Sequence, residues 1–327
     1  MSHSAKAQKT GIAEKNTKVR ETGKQAEAPT SAKTASRGHA IHPVKGIDHA
    51  FILVNNLEKS AESFRQLGFT LSPRGLHSKE QGTANYTVMF QNDYFELLGI
   101  VEETTANRQK KQDLENYGEG LYAIAGRIDN ALAAAQSLTE LGFGVTEVQN
   151  FSRPVDLAGG KQGLAAFSTV AFKKNEVPNG QVFMCEHKTR DMVWRSELMP
   201  HENGAIALQS VILLSSEPEK TAKRYERLFK DGKIAENDGE IVVSTGPNSA
   251  IIRIIPKGAD KRLSSGFEIG KVANHAYAGL GIFVKNLDDT KTVLKKNGIT
   301  FADRSEKTIV IPPQFASGAI IEFTEKQ

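Results

Sequence analysis

A unit of one strand, one helix and three further strands recurs four times between residue 46 and the end of the chain. In each unit a short apolar, β-rich run is followed by apolar residues at helical spacing. The strand-to-helix junctions at Leu57, Ile128, Pro218 and Leu287 lie about 71, 90 and 69 residues apart. A repeat of this length predicts an α+β fold built from four small βαβββ modules.

A single βαβββ module leaves one face of its sheet uncovered, so modules of this kind are expected to pair. Four modules therefore predict two paired domains, at residues 46–202 and 203–327. The boundary falls in the turn-forming stretch His201-Glu202-Asn203-Gly204, which follows Pro200.

The apolar pattern also predicts individual strands. After the first two helices they are 69–73, 86–90, 94–101, 144–148, 164–172 and 181–187. After the third helix the pattern predicts only two of the three strands, 241–244 and 250–255, and after the fourth it predicts 299–302, 308–311 and 319–324.

Residues 1–45 have a composition unlike the rest of the chain. They hold nine Lys or Arg against three Glu, whereas the remainder holds 33 basic and 35 acidic residues. Because residues 1–44 lack Leu, Phe, Tyr and Trp, they cannot bury enough apolar surface to offset the entropy of ordering. The sequence therefore predicts a disordered basic tail at residues 1–45. Weak binding to an anionic surface and mitochondrial targeting are the alternatives.

Composition excludes several classes of protein. The part after the tail has a small negative net charge, which argues against a nucleic-acid-binding face. No apolar run approaches about 18 residues, so no membrane span is expected. Cys185 is the only cysteine, which excludes an intramolecular disulfide and a multi-cysteine zinc or iron–sulfur site. A reducing, cytoplasmic location is the prediction that follows.

Several short motifs occur in order along residues 46–205. They are Gly46-Ile47-Asp48-His49, Leu67-Gly68-Phe69-Thr70, Asp93-Tyr94-Phe95-Glu96-Leu97, Ser152-Arg153-Pro154, Cys185-Glu186-His187 and Trp194-Arg195, followed by His201 and Asn203-Gly204-Ala205. Together with the module order, they resemble the glyoxalase-like branch of the vicinal oxygen chelate superfamily, a superfamily that includes bleomycin resistance proteins and extradiol dioxygenases. The resemblance implies curved mixed sheets of paired βαβββ modules around a metal ion, with ligands from the first and last strands of each module.

The resemblance implies a three-ligand metal site in the first pair of modules. The first module supplies His49 and Glu96. In the second module the ligand position of the first strand falls near Gly120, which cannot ligate, and the last strand offers Glu186 and His187. Alternation along a strand lets only one of these two face the site, and we favour His187. Two imidazoles and a carboxylate suit a divalent iron, manganese or zinc ion and leave positions open for substrate.

Three further residues are candidates for binding substrate. Arg153 and Arg195 can clamp a carboxylate through their guanidinium groups, and Trp194 can form a pocket wall. Surface ion pairs and ordinary packing are the alternatives for these residues. For His49 and Glu96, the alternatives are a hydrogen-bonded structural histidine and a buried acid paired with an arginine.

The second half of the chain is expected to be degenerate. Its first-strand ligand positions fall near Ser210 and Gly279, and His275 lies just before its strand. Glu322 matches the position of Glu96, but a lone carboxylate makes a poor site. We therefore expect no second metal ion. The second half would instead cover the first sheet or mediate association, for which a homodimer is one option.

These observations predict a metal-dependent enzyme of the glyoxalase-like type that acts on a small organic substrate with neighbouring oxygens. Isomerase, dioxygenase and lyase chemistry all remain open, since a fold does not fix an activity. The alternative is a metal-free protein of the same fold that binds or sequesters a small molecule. A third option is an interaction protein that works through its basic tail.

Overall fold

The computed structural model describes residues 40–259, 263 and 265–327. The tail predicted at residues 1–45 lies outside the described residues except for its last six. Within these six, Val44 is buried in the apolar core, and the amide of Lys45 donates a hydrogen bond to the carbonyl of Arg127 at 2.9 Å. The ordered fold therefore begins before Gly46.

The first eight strands and three helices form one mixed sheet with its helices. The strands are β1 (Ile47–Val54), β2 (Gly75–Leu76), β3 (Thr83–Met89), β4 (Tyr94–Ile100), β5 (Gly120–Arg127), β6 (Gln149–Asp156), β7 (Gln162–Ala171) and β8 (Gln181–His187). The helices are α1 (Leu57–Gln66), α2 (Arg108–Tyr117) and α3 (Ala131–Glu140). The strand order is β2-β3-β4-β1-β5-β8-β7-β6, with β1 and β5 antiparallel at the centre.

The second half of the chain repeats this arrangement. Its strands are β9 (Ala205–Ser215), β10 (Lys233–Asn237), β11 (Glu240–Ser244), β12 (Ile251–Pro256), β13 (Gly279–Val284), β14 (Ala302–Ser305), β15 (Thr308–Ile311) and β16 (Ile320–Glu325). Its described helices are α4 (Pro218–Glu226) and α5 (Leu287–Lys296). The order β10-β11-β12-β9-β13-β16-β15-β14 again places two antiparallel strands, β9 and β13, at the centre. The predicted α+β fold of four βαβββ modules in curved mixed sheets is confirmed.

Some predicted strands lie elsewhere. Residues 69–73 form no strand, because Thr70 instead bonds to His201 Nδ1 and to the Pro200 carbonyl. In the predicted strand 144–148 only Val145 makes a bridge, and the strand proper is β6. The predicted strand 299–302 is displaced to β14.

Two elements carry no sequence signal strong enough to predict them. Strand β10 is exposed along its whole length, and α2 buries only Asp113. An element without an apolar face shows no periodicity in its sequence. None of the described helices is long and apolar enough to span a membrane.

One face of each sheet packs into a core that both sheets share. Along β1, Ala50, Ile52 and Val54 belong to this core, as do Leu280 and Ile282 of β13. The last strand of the first sheet ends at residue 187 and the first strand of the second begins at 205. Because a single core includes both sheets, the division into two domains at residue 202 stays a prediction.

The opposite faces of the two sheets differ. In the second sheet that face is covered by the connection after β12, from which Leu263, Phe267 and Ile269 pack onto Ile212 and Ile320. In the first sheet the corresponding face lines a cavity of about 720 Å³. The large cavity therefore lies on the first sheet, where residues that could carry chemistry face it.

Candidate functional site

A β-bulge in β1 brings Asp48 and His49 to the same region of the first sheet. On the partner strand β5, Gly126 pairs with Ile47 and the next residue, Ala125, already pairs with His49. Asp48 is thus an extra residue, and a bulge of this kind re-aims the side chain that it carries. Strict alternation would have placed Asp48 on the face opposite His49.

Asp48 contacts two histidines at once. Its Oδ2 atom lies 2.8 Å from Nδ1 of His49 and 2.8 Å from Nε2 of His187. All three side chains are buried, and Asp48 has no exposed surface. They form a group of three side chains whose ligand atoms lie within 4.8 Å of one another and that could hold a metal ion.

The remaining oxygen of Asp48 faces an arginine. Nε of Arg127 lies 3.3 Å from Oδ1, and the same guanidinium donates to the carbonyls of Ile47 and Asn92. Burial by itself raises the pKa of Asp48, but hydrogen bonds and charge from His187 and His49 outweigh it and hold the pKa well below its usual range. Asp48 is therefore a carboxylate at neutral pH.

Aromatic rings surround the two histidines. Tyr94 stacks on His49 with ring centroids 4.3 Å apart, and Trp194 packs edge-on against His187 at 4.8 Å. The guanidinium of Arg190 covers the other side of Trp194 at 3.4 Å. Nδ1 of His187 and Nε1 of Trp194 are buried and have no hydrogen-bond partner in the described part of the chain. This shell shields the group from water.

Glu96, the carboxylate predicted as a ligand from the sequence, is not part of this group. It lines the same cavity as His49, but its Oε2 atom accepts a hydrogen bond from the Asn85 side chain. The sequence left pairing with an arginine as the alternative for Glu96, but Arg74, one such arginine, pairs with Glu58. The structure therefore brings two of the three predicted ligands together, and Asp48 stands where Glu96 was expected.

Glu186 and His187 point in opposite directions, as alternation requires. Oε2 of Glu186 accepts a hydrogen bond from the amide of Ala131 at the start of α3. His187 reaches Asp48 across the sheet. The Glu186 carboxylate therefore lies at the N-terminus of α3, where the helix dipole favours a negative charge.

The pseudo-symmetry of the sheet shows which residues replace the missing ligands. Since β1 and β5 pair His49 with Ala125 and Phe51 with Ala123, the counterpart of His49 is Ala123 rather than Gly120. The same reasoning through β4 and β8 makes Phe183 the counterpart of Glu96. Neither alanine nor phenylalanine can bind a metal ion. The member of the three-residue group that comes from the second module is His187, farther along β8.

The three predicted substrate-binding residues lie in different surroundings. Arg153 is buried and lines the large cavity together with a small adjoining pocket. Arg195 lines only the small pocket, where it donates to the Asp156 carbonyl and pairs with Glu197 at 3.1 Å. Trp194 packs against the candidate metal group.

In the second sheet the corresponding positions hold an ion-pair network. By the same register, Ser210 and Gly279 are the counterparts of His49, and Arg253 and Glu322 those of Glu96. Glu322 is buried and accepts hydrogen bonds from Arg253 and Arg304, and both arginines also bind Glu240. These contacts occupy the carboxylate that the sequence matched to Glu96.

The family follows from comparison with known sequences. A family model described as a glyoxalase-like domain matches residues 47–229, which is more than half of the 327-residue chain. The chain therefore belongs to the glyoxalase-like domain family. No match to the sequence was found among curated proteins.

Solved structures match the fold at low sequence identity. A hypothetical protein from Staphylococcus aureus is 16% identical with a TM-score of 0.61, over 86% of this chain and 99% of that one. A mutant of 4-hydroxymandelate synthase from Streptomyces coelicolor is 14% identical, with a TM-score of 0.54 over 86% and 93%. A variant of homoprotocatechuate 2,3-dioxygenase from B. fuscum is 13% identical, with a TM-score of 0.51 over 88% and 73%. Identities this low show the fold alone.

Proposed function

We propose that this protein is a metal-dependent enzyme whose ion is held by Asp48, His49 and His187 and whose organic substrate binds in the cavity of the first sheet. The observation that carries the proposal is the convergence of one carboxylate oxygen on two imidazole nitrogens, 2.8 Å from each. Asp48 replaces Glu96 in the ligand set expected from the sequence.

The donor atoms fit a divalent ion. Two imidazole nitrogens and one carboxylate oxygen suit iron, manganese or zinc, and a three-residue set leaves coordination positions for substrate. When bound, such an ion polarises a substrate oxygen or stabilises negative charge that forms on it. His49 also lines the cavity, so a substrate there would lie beside the group.

The surrounding residues of the chain would orient the ligands. Arg127 holds Oδ1 of Asp48, which directs Oδ2 toward the histidines. Tyr94 fixes the ring plane of His49 by stacking, and Trp194 covers His187. Partners of this kind keep ligands in place and exclude water, and their loss typically weakens metal binding.

The reaction class to test first is dioxygenation. One structural neighbour is named a dioxygenase, and the two-histidine, one-carboxylate set is the one that iron(II) oxygenases use. Isomerase and lyase chemistry remain the other candidates from the sequence. Oxygen consumption in the presence of iron(II) and aromatic substrates separates the first class from the other two.

One observation favours a metal-free binding protein instead. If Nε2 of His187 binds a metal ion, the ring proton moves to Nδ1, which is buried without an acceptor among the described residues. Metal-bound histidines usually donate that proton to a partner. Without a metal ion, Nε2 keeps its proton and donates it to Asp48, and the cavity binds its ligand without chemistry.

The deciding experiment measures metal content by mass spectrometry in purified, tag-free protein after reconstitution with iron, manganese or zinc. We expect near-stoichiometric metal in the wild type and loss of most of it in Asp48→Asn and His187→Ala. Glu96→Gln and His77→Gln should keep the metal, since neither residue belongs to the group. Circular dichroism checks that each variant folds.

The outcomes separate the competing assignments. Loss of metal in Glu96→Gln with retention in Asp48→Asn would restore the ligand set expected from the sequence. Absence of metal from every protein, including the reconstituted wild type, would refute the metalloenzyme and favour the binding protein.

A further inference from the structure

Arg153 of β6 is a buried cation. The residue is 8% exposed, and its side chain lines the large cavity and forms no hydrogen bond or ion pair with any residue in the described part of the chain. Burial lowers the pKa of Arg153, and the charge of Glu96 opposes that effect. A buried charge is costly unless it is paired, so an unpaired guanidinium facing a cavity points to an anionic ligand.

Lys110 of α2 is a second unpaired cation on this cavity. It lines the cavity and has no hydrogen-bond or ion-pair partner among the residues that the structure describes. Its neighbour Lys111 faces away and pairs with Glu103 and Glu115. Lys110 and Arg153 both act electrostatically on His77, so the two cations lie in the same part of the cavity.

The other titratable groups on the cavity offset this pair only in part. Glu96 contributes one negative charge that acts on both cations, but its carboxylate accepts a hydrogen bond from Asn85 and forms no ion pair with either cation. Glu80 is exposed at the rim. Burial lowers the pKa of His77 to about 4, so its ring is neutral at pH 7.

Part of the remaining wall is aromatic, and the rest carries neutral polar side chains such as Thr87, Asn150 and Gln181. Four phenylalanines line it: Phe51, Phe151, Phe167 and Phe183. A cavity of about 720 Å³ is within the usual range for a small organic ligand. A ligand that satisfies both parts of the wall carries one anionic group and an apolar, preferably aromatic, body.

We propose that the substrate is a carboxylate with an aromatic body, that Arg153 binds the carboxylate, and that Lys110 is the second cation of this subsite. A guanidinium binds a carboxylate through two parallel hydrogen bonds, which gives orientation as well as affinity. Of the two arginines suggested by the sequence, Arg195 is already occupied by Asp156 and Glu197. The inference rests on the proposed function only in taking this cavity as the substrate site.

The test compares a carboxylate with its neutral isostere. Binding of phenylacetate and of phenylacetamide is measured by isothermal titration calorimetry. 3-Phenylpropionate and its amide are measured in the same way, because they place the polar group one carbon farther from the ring. Metal content is measured on the same samples. Each titration is repeated after chelation, so that binding of the carboxylate to a metal ion is recognised.

We expect the carboxylates to bind more tightly than the amides. Arg153→Gln should weaken carboxylate binding by about ten-fold or more, and Lys110→Gln by about three-fold, because each removes a charged partner. Amide binding should not change. Arg74→Gln and Lys111→Gln are the matched controls, since both residues are paired outside the cavity, and they should bind as the wild type does.

Three results would overturn the proposal: equal binding of acid and amide, carboxylate binding unchanged in Arg153→Gln, or no binding of either acid. The outcome is separable from that of the metal experiment. Arg153-dependent binding in a protein that takes up no metal refutes the metalloenzyme and keeps this subsite. Metal uptake by a protein that binds acid and amide equally supports the metalloenzyme and refutes this subsite.

Discussion

Asp93 is a buried carboxyl group that links the two sheets. It lies between β3 and β4, and its Oδ1 atom accepts a hydrogen bond from the amide of Leu208 in β9 at 3.0 Å. Burial raises the pKa of Asp93 from 3.8 to about 7, although the bond from Leu208 and the charge of Arg127 oppose the shift. The folded protein therefore holds a proton here that the unfolded chain has already lost.

This shift predicts a pH dependence of stability. Between pH 4 and 7 the folded state binds more protons than the unfolded chain, so the free energy of unfolding falls as the pH rises and then levels off. Asp93→Asn should remove this fall, which amounts to at most about 4 kcal/mol. Denaturant titrations at pH 4.5 and pH 8 measure it. An unchanged pH dependence in the variant would assign it to other groups.

At the residue scale, Asp48 shows what could be predicted from the sequence. A charged residue inside the apolar run of β1 had to find a partner, because a bare buried carboxylate is costly. That argument was available from the sequence. The identity of the partners was not, because it depends on the bulge between β1 and β5, whose pairing brings together residues about 75 positions apart.

At the element scale, one cap recurs in three modules. The side chains of Asn56, Asn130 and Asn286 each accept a hydrogen bond from the amide three residues later, at 2.9–3.0 Å. Helix α4 has no such side-chain bond and begins with Glu217 followed by Pro218. A proline at the first position suits a helix start because its missing amide proton would be unpaired there in any case.

Removing one cap should therefore destabilise its helix. Asn130→Ala is expected to lower the free energy of unfolding by about 1 kcal/mol, because the amide of Ala133 loses its acceptor. Glu217→Ala is the matched control at a position without a side-chain cap, and should change it by less than about 0.5 kcal/mol. Chemical denaturation measures both. Equal losses would show that the cap bond contributes nothing.

The ion-pair network of the second sheet should contribute to the stability of the protein. It consists of Glu322, Arg253, Glu240 and Arg304. Glu322→Gln leaves the buried Arg253 and the partly buried Arg304 short of a charge partner, and we expect a loss of about 3–5 kcal/mol in unfolding free energy. Glu96→Gln, the change at the counterpart in the first sheet, should cost less, because among the described residues Glu96 accepts one hydrogen bond, from Asn85, and forms no ion pair. Thermal and denaturant unfolding of both variants measure the two losses in unfolding free energy. A larger loss in Glu96→Gln than in Glu322→Gln would contradict the prediction.

At the scale of the whole molecule, the two sheets are expected to unfold together. Residues of both contribute to one core, and Tyr225 of α4 donates to the carbonyl of Asn179 in the first half at 2.9 Å. Phe69 and Phe323 also pack against each other, with ring centroids 5.7 Å apart. A shared core makes separate melting of either half costly in exposed apolar surface.

Trp194, the only tryptophan, reports on the first half alone and makes this expectation testable. Ile282→Ala, a fully buried change in β13, should lower the free energy of unfolding by about 2–5 kcal/mol. The unfolding transitions followed by tryptophan fluorescence and by far-ultraviolet circular dichroism should both move to the same lower midpoint. Ile234→Ala, on exposed β10, should leave both near the wild-type value. A fluorescence transition that stays in place would show two independent domains.

The sequence by itself determined the repeat, the α+β class and the resemblance to the glyoxalase-like family, because hydrophobic period and turn chemistry are local properties of the chain. Through that resemblance it also indicated His49, Glu96 and His187 as candidate metal ligands. Tertiary structure alone decided that Asp48 joins the two histidines while Glu96 does not. It also decided that Arg195 has two partners, whereas Arg153 has none among the described residues. Those facts depend on strand register and on contacts between distant segments, which no local pattern encodes.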